Sequence, residues 1–564
     1  MSARREWILV AMVVAMAMPG CGGGGGGGGS SSGATPAPLP GAAATVTITP
    51  YAPEGLTPSI GITRAVGETF AEDVKGTITS KNLSAGETVY LRAQDKGDTL
   101  LMPETMPVSP NGPFTVTLRP KRELLPGEYT STFELTACRD PRCDAAYGAP
   151  VSVRYRVSIL QLGDWQGIQR DYRHDGFVPT NIDASRLSVQ WEWRPPVASP
   201  AGGGVFITRP ATTPDAVAVL AGTYTTGGPQ DDIALHAIDE FTGQPRWNWP
   251  IPDGVYAQAP VTAMSSLNTR QVILQTLNHS SLVTSFNAQT GATNYTAEVG
   301  APITTRTLAP TSFALWTYYY AGPNGSEIHS IDNPTGALRW SRQRPGLQPG
   351  TPTVRNAGVY HPSSVLYQNG RTIEVLDTDT GAFRGTITDP GSDGADSPFM
   401  RPVMAIGSRD NVIAVSYNGA TGASPLSSFN IDGLRWEWST THSYRSFAVS
   451  DHAVYSYREG VSMPTLDAID ETNGQLLWSW MPPVADAQVR TMGNVMLTQN
   501  LVFISTEDAN GNSFVWAIDR ATHQAVWRHA GGGYVVMSGS QTLYVLSGPG
   551  NGQPSNVLRA FRMK

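Results

Sequence analysis

Cysteine is scarce in this chain. There are three in 564 residues, at positions 21, 138 and 143, so nothing after residue 143 can form a disulfide, a thiolate metal site or a Cys-x-x-Cys-His haem attachment. Charge is scarce as well: 15% of residues are charged, the net charge is −7, and no Lys/Arg run occurs, which argues against a nucleic-acid surface. The nine histidines (174, 236, 279, 329, 361, 442, 452, 523 and 529) include no pair at helical metal-binding spacing. A Gly-x-Ser-x-Gly elbow and a phosphate-binding loop are both missing. One apolar run, Trp7 to Met18, is about a dozen residues long, the length of a signal-peptide core and short of a bilayer span. What is abundant is glycine (59) and proline (43), as expected of turn-rich β structure plus a linker. The length predicts more than one domain.

Arg4 and Arg5 precede the apolar run, and Pro19-Gly20-Cys21 follows it. This arrangement resembles the bacterial lipoprotein lipobox, although Met18 and Pro19 stand where Leu and a small residue are commoner. The resemblance implies that Cys21 carries diacylglycerol and becomes the mature N-terminus; the rival reading is an ordinary secretory signal with an incidental cysteine. Two or three acyl chains anchor a protein stably where one does so only marginally. Gly22 through Gly29 is an unbroken glycine run that leads into Ser30-Ser-Ser and Pro36-Ala-Pro-Leu-Pro40, a composition that forms a flexible tether. Glycine after the cysteine points by analogy to the outer membrane. The expected organisation is a signal peptide over 1–20, a tether over 21–44, a small β domain over 45–160 and a repeat domain over 161–564.

Five alternating runs punctuate the small domain: Thr45 to Thr49, Thr88 to Ala93, Phe114 to Leu118, Gly127 to Leu135 and Val151 to Val157. Strands so spaced predict a sandwich. Leu125-Pro-Gly-Glu-Tyr129, the two cysteines and a last strand resemble bacterial immunoglobulin-like domains, which act as spacers or adhesive modules. Cys138 and Cys143 flank a turn-forming Arg-Asp-Pro-Arg insert, which favours a hairpin disulfide in an oxidising compartment over a metal pair.

From residue 237 one motif recurs: Ala237-Ile-Asp239-Glu-Phe-Thr242-Gly243-Gln-Pro-Arg-Trp247. Later copies are Ser285, Asn287, Gly291 and Tyr295, then Ser330, Asp332, Gly336 and Trp340. The fourth, with Asp377 and Gly381, lacks an aromatic residue; the fifth reads as a copy shortened by one residue, with Asp432, Gly433 and Trp436. The last two are Asp470, Gly474 and Trp478, then Asp519, His523 and Trp527. The turn residues are spaced by roughly 41–52 positions, near the period of four-stranded propeller blades. Asp or Asn starts the turn through its own backbone, glycine supplies the left-handed conformation, and the Trp returns on the next strand to wedge between blades. His523 would take positive φ at a cost, which predicts a differently built turn there.

This pattern resembles the PQQ-like β-propeller repeat over roughly residues 160–564. The expected fold is all-β: an eight-bladed propeller, or seven-bladed, behind an immunoglobulin-like sandwich. Val557-Leu-Arg-Ala-Phe561 reads as half a motif whose Trp half is Val189-Gln-Trp191-Glu-Trp193, closing the ring in one shared blade. The segment from Asp164-Trp-Gln to His174-Asp-Gly-Phe177 reads as the family's lead-in.

Enzymes of the family seat pyrroloquinoline quinone on the ring axis with Ca²⁺ and an Asp base, and many press a vicinal Cys pair against it. No such pair exists here, and the recurring aspartates are turn residues. Two acidic loops, Asp389 to Asp396 and Asp508 to Asn512, depart from calcium-loop spacing, with Met400 where a bidentate Glu is required in the first. The expectation is a non-enzymatic, lipid-anchored envelope protein that needs no cofactor or metal. Its propeller would bind other envelope proteins, with a role in outer-membrane protein assembly as the specific form. A quinone- and Ca²⁺-dependent dehydrogenase is the alternative, and an adhesin or glycan binder using Tyr318-Tyr-Tyr320 the third.

Overall fold

The computed structural model describes residues 43–563 apart from 52–58, 66–70, 122–123, 125–126, 161, 168, 202, 226–229, 253–255, 267–268, 279, 299–302, 309–311, 318–326, 344–358, 362, 370, 394–403, 460–464, 484–489, 509 and 548–556. Cys21, the tether up to residue 42, Tyr318 to Tyr320, Asp396 and Met400 lie outside the described residues. Apart from one short 3-10 turn, Ala184–Arg186, every described regular element is a strand.

Residues 45–160 form two sheets. One holds Thr45–Pro50, Glu72–Lys81, Gly112–Pro120 and Leu100–Leu101; the other holds Ser59–Ala65, Val151–Leu160, Gly127–Cys138, Val89–Asp95 and Met106–Val108. Alternate residues are buried along the long strands, so each sheet turns one face inward, with Phe114, Val116, Phe133, Leu135, Val153 and Tyr155 between them. Ser59–Ala65 runs parallel to Val151–Leu160.

Residues 187–563 build a ring of four-stranded antiparallel units, a β-propeller. The described strands group into eight such blades, lettered here A to H in chain order. Blade A spans Gly203–Ile207 to Pro245–Pro250, B spans Tyr256–Ser266 to Thr293–Glu298, C spans Ile303–Leu308 to Leu338–Gln343, and D spans Val359–His361 to Phe383–Thr388. Blade E begins at Met404–Ile406 and F ends at Leu476–Trp480; the long strand Arg435–Ser450 closes E with its first half and opens F with its second. Blade G spans Arg490–Thr498 to Ala525–Ala530. Blade H takes Gly533–Met537, Leu543–Ser547 and Val557–Met563 from the C-terminus and its outer strand, Leu187–Trp193, from before blade A. Closing the ring this way pairs the two ends of the domain, so Val557–Met563 is hydrogen-bonded on both edges.

Middle strands are pressed between neighbouring blades on both faces, and their burial does not alternate: Val412–Val415 is buried throughout. Outer strands face solvent on one side and do alternate, as in Ala525–Ala530. In each blade the turn between the first two strands and the turn between the last two lie at the same end of the ring. That end carries every recurring motif and receives the lead-in segment.

Candidate functional site

The recurring turn is built from one carboxylate. Asp239 Oδ1 accepts the N–H groups of Phe241 and Thr242 and the Thr242 hydroxyl, while the Gly243 N–H donates to the Asp239 carbonyl at 2.9 Å. Burial pushes the Asp239 carboxyl up, but its bonds to Arg246 and Thr242 outweigh this and hold it below its usual range. Asn287, Asp332, Asp377, Asp470 and Asp519 hold their turns in the same way.

Glycine at the turn answers two demands. Gly243, Gly291, Gly336, Gly381 and Gly474 have φ between +68° and +73°. Each also lies flat under an aromatic ring of the preceding blade. A Cβ on Gly243 would sit 2.6 Å from Trp191, on Gly291 2.8 Å from Trp247, on Gly336 2.3 Å from Tyr295, on Gly381 2.5 Å from Trp340, and on Gly474 2.6 Å from Trp438. The indole N–H then donates across the interface at 2.9 Å, from Trp191 to the Glu240 carbonyl, Trp247 to Ala288, Trp340 to Thr378 and Trp438 to Glu471. Ring, glycine and carbonyl together lock H to A, A to B, C to D and E to F.

Two copies of the motif differ from their sequence reading, and one of these explains a third, in blade D, which lacks its aromatic residue as expected. In blade E the docking ring is Trp438, not Trp436. The ladder sets Ser428 opposite Trp438 and Phe429 opposite Trp436, which puts Asn430 in the Asp239 position and makes the copy full-length. Asn430 Oδ1 accepts the Gly433 N–H at 2.6 Å, and the residue in the Gly243 position is Leu434, with φ +47°. Aligning the glycines had shifted the register. Trp436 is instead 42% exposed, and its indole donates to Ser439. Leu434 explains blade D, where Gly385 stands at the aromatic position: a Cβ on Gly385 would lie 2.5 Å from Leu434 Cδ1. The usual partners have exchanged sizes, and the leucine fills the place of the absent ring. In blade G the turn keeps its ordinary form. His523 takes φ +58°, donates its N–H to the Asp519 carbonyl at 2.8 Å, and stacks on Trp478 at 4.3 Å between centroids. The stacking area gained offsets the left-handed strain.

The residue after the motif's Asp forms a second staple that the sequence reading missed. Arg520 reaches Tyr455, Ser450 and the carboxylate of Asp451 in blade F. Glu471 reaches the hairpin 407–411 of blade E, taking the Ser408 hydroxyl on Oε2 and the Arg409 N–H on Oε1. Glu240 reaches the hairpin 538–542 of blade H, taking the hydroxyls of Ser538 and Thr542. A charged residue recurring next to a turn aspartate was the available signal.

The lead-in lies against the innermost strands. Its carbonyls accept from Thr212 (Trp165), Ile406 (Arg173), Val449 (Asp175), Leu497 (Gly176) and Gln499 (Thr180), so residues 165–180 bridge blades A, E, F and G. Phe177–Val178 adds a short parallel strand to blade G. Trp165, Gln169, His174, Val178 and Thr180 are buried, and Gln169, Arg170 and His174 have positive φ. The segment thus ties four blades together at the end of the ring that carries the motifs. Burial pushes the Asp175 carboxyl up to about 7, with the Asp171 charge adding and Arg170 opposing; burial brings His174 down to about 4.

Among the described residues no three His, Cys, Asp or Glu side chains gather as a metal site, and no helix is long and apolar enough to cross a membrane. The described carboxylates of both acidic loops accept hydrogen bonds: Asp389 takes the Ser416 hydroxyl and the Gly391 N–H, Asp393 the N–H groups of Gly419 and Ala420, and Asp508 those of Asn510 and Asn512. His236 packs on Trp193.

Cys138 and Cys143 are joined by a disulfide, with Cα atoms 5.0 Å apart, and Asp140 gathers the N–H groups of Arg142, Asp144 and Ala145 inside the loop. Cys143→Ser should cost the two-sheet unit about 2 kcal/mol by the loop-entropy relation, read as a lower melting temperature that reductant reproduces in the parent.

The family model described as "Outer membrane protein assembly factor BamB" matches residues 188–358 and 320–480, more than half of the chain. No curated protein matches. Among solved structures, BamB from Moraxella catarrhalis is similar at 17% identity and a TM-score of 0.44, covering 67% of this chain and 99% of that one. The quinohemoprotein alcohol dehydrogenase ADHIIG from Pseudomonas putida HK5 is similar at 14% identity and a TM-score of 0.47, covering 71% of this chain and 80% of that one.

Proposed function

We propose, for a chain that belongs to the family of outer membrane protein assembly factor BamB, that its propeller is a protein-binding scaffold of the bacterial cell envelope that takes part in outer-membrane protein assembly. Membership of that family carries the reading. Two features of the ring support it. Its turns spend their carboxylates on their own backbones, and residues 165–180 tie blades A, E, F and G together, both of which stiffen the ring. A rigid ring suits display of variable loops to a partner. In this proposal the protein is not an enzyme, takes no quinone or Ca²⁺, and is held to the membrane by acylated Cys21, with the two-sheet unit as a spacer.

Crosslinking followed by capture of the full-length protein from native envelopes tests the scaffold role. Recovery of barrel-assembly proteins is the expected result. Capture without them, or saturable dye-linked oxidation of alcohols or sugars on adding quinone and Ca²⁺, overturns it. Cys21→Ser should move the protein from the membrane to the soluble fraction; continued membrane association rules out acylation as the anchor.

A further inference from the structure

The last three strands of blade H meet strands from the start of the domain and from blade A. Val557–Met563 pairs with Leu187–Trp193, Trp191 docks on Gly243, and Glu240 of blade A takes hold of the hairpin 538–542. Glu240 is completely buried, and its bonding is lopsided. The hydroxyls of Ser538 and Thr542 both donate to Oε1, whereas Oε2 is buried with no hydrogen-bond partner. Glu471, at the same place in the motif, has a donor on each oxygen. Two donors on one oxygen and no partner on the other suit a neutral carboxylic acid better than an ion, because a buried hydroxyl without an acceptor costs less than a buried charge short of donors. A buried ion would leave a bare oxygen at large cost.

We propose that Glu240 is a proton-operated latch on the ring closure: as the neutral acid it lets the C-terminal strands close against blade A, and on ionising it loosens them.

The groups around it agree. Asp164 from the lead-in presents a second negative charge, Arg562 from the closing strand a positive one, and the buried Tyr544 ring lies against both acids' field. Asp239 and Asp215 are taken up by Arg246, at 2.7 and 3.1 Å. Burial, with Asp164 adding, pushes the Glu240 carboxyl up to about 7 against the opposing hydroxyls. The folded value is raised, so the contribution to closure is complete below about 4.5, the ordinary value, and is lost as pH rises through about 7. Between pH 5 and pH 8 the opening equilibrium of the closure should rise roughly 10- to 100-fold.

Amide hydrogen exchange on the full chain, corrected for intrinsic rates, reads this directly in strands 187–193 and 557–563. Protection there should fall from pH 5 to pH 8 relative to blade D strands. Glu240→Gln should flatten the dependence, while Glu471→Gln and Asp175→Asn keep it. Unchanged relative protection in the parent protein overturns the proposal even if the Gln variant fails to fold. A dependence that persists in Glu240→Gln, or vanishes in Asp175→Asn, also overturns it.

Discussion

Trp438→Ala should destabilise the propeller by about 3–5 kcal/mol, the range for truncating a buried tryptophan, whereas Trp436→Ala two residues away should cost under about 1 kcal/mol. Both are indoles on the same outer strand, and sequence spacing alone selects Trp436. The difference comes from the ladder. Opposite Ser428, Trp438 turns towards blade F, is 7% exposed, covers Gly474 and donates to the Glu471 carbonyl. Trp436 is 42% exposed and bonds only within its own strand. Removing Trp438 uncovers an interface and leaves a buried carbonyl without its donor, adding to the loss of area. Urea midpoints of the two variants decide the matter. Equal losses, or a larger loss for Trp436, would return the motif to its glycine-aligned register.

The second large effect concerns Gly385 and Leu434. Gly385→Trp alone drives a ring into the leucine and should cost about 1–3 kcal/mol by overpacking. Leu434→Gly alone empties the same space, at a cost of about 2–5 kcal/mol less the roughly 1–2 kcal/mol of left-handed strain it relieves. Together they recreate the ring-on-glycine dock of the other interfaces. The double variant should lie within about 1 kcal/mol of the parent, a coupling near the upper end for residues in contact. A double-mutant cycle by urea denaturation measures it, and simple additivity of the two losses would refute the size exchange.

Both variants test positions where reading along the chain is least informative. The all-β character, the repeat, the closing half-motif and five strands of the N-terminal unit are visible in the sequence, because turn chemistry and alternation are local. Glu72–Lys81 is not visible: its charges lie on the exposed face, and Gly76 reads as a breaker. In the sheet that glycine is needed, since a Cβ there would meet Phe114 at 2.5 Å. His523 reads as a defect until Trp478 is found stacked on it.

The sequence by itself determined the turns and their period. An aspartate that caps its own backbone, a glycine or substitute at positive φ and an aromatic residue four positions on act within a dozen residues, and each acts wherever the chain goes. Tertiary structure alone decided which indole docks, why a leucine belongs in a glycine's place, which carboxylate is left with a bare oxygen, and that residues 165–180 bridge blades A, E, F and G. Those outcomes depend on side chains brought together from different blades, and it is closure of the ring that sets their distances.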